Sequence, residues 1–154
     1  MYSLRRYRRG DAAALAEVFE AAVRGTACRD YTPAQIDAWA ASAPAVAGRE
    51  EWFSRLYTVV AEQDGRPVAY GSIDDTGYLD HLFVCPEAGG QGMASAICAR
   101  LEGWAAGRGI RRLTVHASRT ARPFFETRGW RVTAAQQVPL RGQVLENFAM
   151  EYIP

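Results

Sequence analysis

The order of elements read along the 154 residues predicts an α/β domain built on a mixed sheet. Three observations predict it. Helical and strand periodicities follow one another as β-α-α-β-β-β-α-β-α-β-β. Three consecutive strands in the middle are joined by tight turns. A glycine-rich turn then joins a strand directly to a long helix, an arrangement of α/β folds but here without regular double winding.

Residues 2–8 read as a short strand that ends at Arg8-Arg9-Gly10, with Asp11 as the expected N-cap of the following helix. That helix carries Leu15, Val18, Phe19, Ala22 and Val23 on one face, a 3.6-residue period. Thr32-Pro33-Ala34-Gln35 has the form of a capping box with proline at the first helical position. It opens a second helix bearing Ile36, Trp39 and Ala40, and residues 50–56 add a further helical turn. Tyr57 to Ala61 is a strand, Asp64-Gly65 a hairpin turn, and Arg66 to Ile73 the returning strand. A turn at Asp75-Thr76-Gly77 leads into the strand Tyr78 to Val84. After Ala88-Gly89-Gly90-Gln91-Gly92 comes a helix with Ala94, Ile97, Cys98, Leu101, Trp104 and Ala105 inward, ending at Gly107-Arg108-Gly109. Residues 111–117 form a strand, 120–128 a short helix closed by Gly129, and 130–152 two final strands.

Composition narrows the function. A chain of 154 residues fits one domain, 1–154, and its 49% hydrophobic and 23% charged residues are those of a globular protein. The net charge of +1 supplies no field for nucleic acid or an anionic membrane. All 18 basic residues are arginine, so neither a Schiff-base lysine nor a P-loop lysine exists. Cys28, Cys85 and Cys98 are an odd count without CxxC spacing, which argues against a disulfide framework and a zinc site. The basic N-terminus lacks the apolar run of a signal peptide, and no apolar stretch approaches 18 residues, so a cytoplasmic location is expected. Arg5, Arg6, Arg8 and Arg9 read as a solvated strand edge.

A strand, a glycine-rich turn and a helix make a phosphate site, because glycine lets the backbone approach an anion that the first helical N–H groups face. The dinucleotide fingerprint GxGxxG fits only at Gly90 and Gly92, with Ser95 at its third glycine and Arg111-Arg112 where an acidic residue belongs. A plain connecting loop is the other reading of this segment alone.

Val84-Cys85-Pro86-Glu87-Ala88-Gly89-Gly90-Gln91-Gly92-Met93-Ala94-Ser95 resembles the acetyl-CoA pyrophosphate loop of the GNAT N-acetyltransferase superfamily. Gly92 and Ala94 match the last two defined positions of (Q/R)-x-x-G-x-(G/A), while Gly89 stands at the first. Leu113 to Ser118, followed by Ala121 to Trp130, resembles the next strand, helix and "GF" turn of that family, in small uncharacterised bacterial members. The resemblance implies a sheet splayed between its fourth and fifth strands, with acetyl-CoA in the gap as cosubstrate and no metal. It implies that Leu82, Phe83 and Val84 pair with the pantetheine arm, that Gly90, Gln91, Gly92, Met93, Ala94 and Ser95 hold the pyrophosphate, and that Ser118 takes the place of a pantetheine-contacting asparagine.

The implied reaction is attack of an amine on the thioester. Many members of that family carry, at or near the position of Tyr78, a glutamate that orders the water deprotonating the amine, so the resemblance makes Asp80 the candidate base with Tyr78 as its relay; strand alternation puts both on one face and His81 on the other. The family's usual acid, a tyrosine, is replaced by Phe125, which together with Phe124 is a packing residue; one of the two lies against the pantetheine. His116 reads as structural, with an alternative role as donor. Tyr31 is the candidate acceptor-binding residue, and Trp39 is read as core. The acceptor bears an amine and is otherwise open. The alternative function is a non-catalytic acyl-CoA-binding module, motivated by Phe125 and Gly89. A homodimer through the last strand is the candidate assembly, with Val144, Phe148, Met150 and Tyr152 either supplying its surface or finishing the core.

Overall fold

Short turns between three successive strands leave them no choice but an antiparallel meander. In the computed structural model, which describes residues 1–154, these strands are β2 (Tyr57–Gln63), β3 (Arg66–Ile73) and β4 (Tyr78–Val84). β1 (Ser3–Arg6) adds antiparallel to β2. β5 (Leu113–Ser118) lies parallel to β4, and the hairpin of β6 (Arg131–Leu140) and β7 (Gln143–Tyr152) completes the sheet through β7. The seven strands run in the order β1-β2-β3-β4-β5-β7-β6.

The helices are α1 (Ala12–Gly25), α2 (Pro33–Ala40), α3 (Ala43–Ala47), α4 (Glu50–Arg55), α5 (Met93–Gly107) and α6 (Arg122–Thr127). α1 and α5 cover opposite faces of the meander. Phe19 of α1 packs on His81 and Phe83 of β4, whereas Ile97 of α5 sits over Gly71 of β3, beside Leu82. One continuous cluster of 36 buried residues joins both layers to the sheet. Phe148 and Met150 finish that core, and Val144 is half exposed.

The capping box of α2 forms as expected: Thr32 accepts from the Gln35 N–H and the Gln35 side chain accepts from the Thr32 N–H. Two local expectations change. Asp11 does not cap α1 through its side chain, because that carboxylate takes the Arg5 guanidinium at 2.8 and 2.9 Å and the Arg8 N–H at 2.7 Å. The start of α1 is instead served by Glu50, whose carboxylate accepts from the N–H groups of Gly10 and Ala12. Nor are the N-terminal arginines uniformly solvated, since Arg5 lies between Asp11 and Glu62 with 14% of its side chain exposed. α3 was not foreseen, as a five-residue helix is too short to show a period.

Gly71 marks the tightest approach of a helix to the sheet. A Cβ there would meet Ile97 Cγ2 at 2.7 Å and Leu82 Cδ1 at 3.2 Å. Gly71→Ala is expected to destabilise the fold by roughly 1–3 kcal/mol through overpacking. Gly103→Ala, where nothing lies within 4 Å of the new carbon, should be neutral or stabilising on the exposed side of α5. Urea unfolding of both variants checks the contrast.

Candidate active site

β4 and β5 stay together for only two rungs, Tyr78 with Thr114 and Leu79 with Val115. Beyond Leu79 each strand keeps its other neighbour, β4 with β3 and β5 with β7, so a wedge opens between them. The opening coincides with a bulge: Ser72 pairs with His81 and Ile73 with Leu79, leaving Asp80 as the extra residue. Further along, the Cys85 N–H donates to the Val68 carbonyl at 2.8 Å. Alternation from that pair directs the backbone groups of Phe83 toward β3 and those of Leu82 and Val84 into the wedge.

A cavity of about 220 Å³ fills the wedge. Its walls are Leu82, Phe83 and Val84 on β4, Ala22 and Val23 on α1, Trp39 on α2, Ala94 on α5, Ser118 at the end of β5, and Ala121 and Phe124 after it. A smaller hollow bounded by Asp80, His116 and Phe125 shares Trp39, Leu82, Phe83, Ser118 and Ala121 with it. The two hollows adjoin, and their linings together extend from Ala94 at the start of α5 to Asp80. The walls are mostly apolar, suited to a long thin ligand whose polar ends lie outside.

At the α5 end the glycine-rich turn presents its backbone. Gly90 and Gly92 both have φ of +78°, a conformation that favours glycine, and no side chain caps the helix. The N–H groups of Gly90, Gln91, Gly92, Met93, Ala94 and Ser95 have no acceptor in the chain; the first closed bond is from Ala96 to the Gly92 carbonyl. Six free donors and the positive end of a 15-residue helix make an anion site without any basic side chain. Met93 turns its own side chain into the core, and Gln91 is held by a hydrogen bond from Gln63 Nε2 at 3.0 Å.

At the other end the bulge redirects two side chains. Asp80 Oδ2 accepts from Trp52 Nε1 at 2.9 Å and lies 3.8 Å from His81 Nε2. Simple alternation would have separated Asp80 from His81, and the extra residue brings them together. His81 is enclosed by Phe19, Phe53, Tyr70 and Phe83, and its Nδ1 is 2.8 Å from the Tyr70 hydroxyl. Burial holds the His81 pKa below the usual imidazole value despite the opposing pull of Asp80, and Arg49 adds to the lowering. The neutral ring is therefore the form the fold favours. Tyr78 does not hydrogen-bond Asp80. It leans edge-on against His116 at 5.4 Å, with a hydroxyl pKa raised by burial first and then by Asp80 and Asp74. That phenol stays protonated at neutral pH.

The remaining candidates divide by position. Ser118 lines the cavity and its Oγ accepts from the Ala121 N–H at 3.0 Å, so its own hydroxyl proton is free. Of the two phenylalanines, Phe124 lies on the main cavity, while Phe125 is buried against Trp130 and bounds only the hollow near Asp80. Tyr31 stands away from the cavity: its hydroxyl donates to the Glu146 carbonyl and accepts from the Arg119 N–H, tying the loop before α2 to β7. Trp39, read as core, is the aromatic residue that lines both hollows. Trp52, with 39% exposure, had no sequence signal linking it to Asp80. Cys85 and Cys98 are buried, and burial pushes the Cys98 thiol up to about 12. No group of three or more His, Cys, Asp or Glu side chains is arranged to hold a metal ion, and no helix is long and apolar enough to cross a membrane.

Comparison with known proteins agrees with this geometry. Residues 27–150 match the family profile described as an acetyltransferase (GNAT) domain. The uncharacterized N-acetyltransferase YafP of Escherichia coli (strain K12) is 37% identical over 154 residues, covering 98% of this chain and 95% of that protein. A GCN5-related N-acetyltransferase from Rhodopseudomonas palustris superposes with a TM-score of 0.93 at 32% identity, over 99% of this chain and 95% of the other. The PaiA N-acetyltransferase of Thermoplasma acidophilum, solved in complex with coenzyme A, shares the fold with a TM-score of 0.77 at 16% identity, over 100% and 99% of the two chains. With a mixed sheet parted between β4 and β5, and most of its length on the family profile, this chain belongs to the GNAT acetyltransferases.

Proposed function

We propose that this acetyltransferase moves an acetyl group from acetyl-CoA to a primary amine by direct attack within a ternary complex. The observation that carries the reading is the row of six uncommitted N–H groups at the mouth of an apolar cleft, with a carboxylate at its far end. A diphosphate suits the first, a pantetheine arm the second, and an ammonium the third. The Salmonella typhimurium putative acetyltransferase YncA, solved with acetyl-CoA, has the same fold at 21% identity, with a TM-score of 0.67 over 99% of this chain and 94% of its own.

In this reading the pyrophosphate rests on the N–H groups of residues 90–95, and the pantetheine amides pair with the outward backbone of Leu82 and Val84. Ser118 and Phe124 flank the arm. The amine approaches Asp80, which takes its proton directly or through one water. The nitrogen then bonds the thioester carbon, and the outward Leu82 N–H is our candidate main-chain donor for the developing oxyanion. Collapse breaks the C–S bond and releases coenzyme A thiolate, while the second proton of the attacking nitrogen leaves to solvent or to that thiolate. Phe125 cannot protonate it, and a thiol of ordinary pKa, roughly 8.5 for cysteine, leaves tolerably as the anion. Tyr78 shapes the electrostatics beside Asp80 without a bond to it.

Incubation with acetyl-CoA and benzylamine, ethanolamine, putrescine, glycine methyl ester or a peptide with N-terminal alanine should release free thiol above the buffer rate for at least one amine. Tight binding of coenzyme A with no release across the panel would instead favour a non-catalytic acyl-CoA sensor. Asp80→Asn is expected to lower kcat roughly 10²–10⁴-fold, the usual contribution of a positioned proton acceptor. Gly92→Ala places a Cβ in left-handed backbone at a strain of roughly 1–2 kcal/mol; a free loop that relaxes out of this geometry must regain it on binding, so coenzyme A affinity should fall by up to about 5–30-fold in calorimetry.

A further inference from the structure

We infer that Trp52 and His81 are positioning residues that clamp one oxygen of Asp80, so that its other oxygen alone faces the incoming amine. The inference rests on the reading of Asp80 as base, and it assigns work to two residues outside the cofactor cleft. Both contacts converge on Oδ2: the Trp52 indole N–H donates to it at 2.9 Å, and His81 Nε2 lies 3.8 Å away. Oδ1 has no partner in the chain.

The His81 tautomer follows from its neighbours. An ionised carboxylate can only accept, so the ring nitrogen turned toward Asp80 carries the hydrogen. Nδ1 is then the acceptor, and the Tyr70 hydroxyl donates to it at 2.8 Å. Tyr70 is fully buried, and burial lifts its pKa well above the ordinary tyrosine value, so it keeps the proton it donates. The 3.8 Å separation of His81 and Asp80 is an electrostatic contact, longer than a direct hydrogen bond, and it favours the N–H edge of the ring toward the carboxylate. The chain Tyr70–His81–Asp80–Trp52 therefore runs from the buried side of β3 to the exposed face of α4. The other groups bearing on it are Arg49 before α4, Tyr78 on β4 and His116 on β5. Arg49 has no carboxylate within salt-bridge distance: Glu51 pairs with Arg9, and Glu50 serves Gly10 and Ala12.

Removing a donor from a carboxylate makes protonation easier, so the base is lost at a higher pH. Trp52→Phe deletes the N–H at a partly exposed position, and the fold tolerates it. It is expected to lower kcat/KM for the best amine of the panel about tenfold at neutral pH, and to move the acid limb of the profile upward by about one pH unit. The KM for acetyl-CoA and the melting temperature should not move. Tyr70→Phe should shift the same limb in the same direction by less.

A second readout needs no acceptor. Of the four indole N–H resonances expected in a nitrogen–proton correlation spectrum, the one lost in Trp52→Phe should move upfield in Asp80→Ala while the other three stay. An unmoved Trp52 resonance, or an acid limb unchanged in Trp52→Phe, overturns the clamp. An active Asp80→Asn protein overturns the base and the clamp together. An inactive Asp80→Asn with an unchanged Trp52→Phe profile overturns the clamp alone.

Discussion

Everything in the site depends on β4 and β5 pairing for two rungs and then separating. A continuous parallel pair would have consumed the main-chain donors and acceptors of Leu82 and Val84 and left no room for a ligand. The separation is tolerable because each strand keeps a full antiparallel partner on its other side. The exposed edges are narrow, walled by α1 and α2 on one face and by the starts of α5 and α6 on the other. The wedge is thus a built gap in a sheet that is otherwise complete, and it ends where the bulge at Asp80 begins.

Charge is handled without lysine and almost without side chains. Where an anion is expected, the fold offers amide hydrogens and a helix end, which a chain with a net charge of +1 can supply as well as a basic one. Arginines serve mainly as struts. Arg5 braces Asp11 and Glu62, Arg119 reaches Glu146 and the Asp30 carbonyl, and Arg112 and Arg131 both hold Glu151. Such pairs fix loops whose positions matter more than their individual energies, since exposed pairs contribute only about 0–1 kcal/mol each.

The elements with strong local signals were legible before the structure. The hairpin at Asp64-Gly65, the capping box at Thr32 and the glycine-rich turn each declare themselves in a few residues. Leu82, Phe83, Val84 and Ser118, named from the family resemblance, line the cavity between β4 and β5. What escaped depends on long-range placement or on a broken period. Alternation assigned His81 to the face away from Asp80, and one extra residue in β4 undid that. The hydroxyl of Tyr31 is taken by two backbone partners 88 and 115 residues away, and Trp39, expected in the core, also lines the cavity, placements that no local pattern announces. Trp52 meets Asp80 only because α4 folds back over the strand, a contact 28 residues apart in sequence.

α4 is a six-residue helix fastened at two points. Glu50 grips the start of α1, and Trp52, two positions on, grips the carboxylate at the bulge. α1 in turn walls the cleft between β4 and β5 with Ala22 and Val23. One short helix therefore braces both ends of the wedge, the helix that lines it and the carboxylate at its far end.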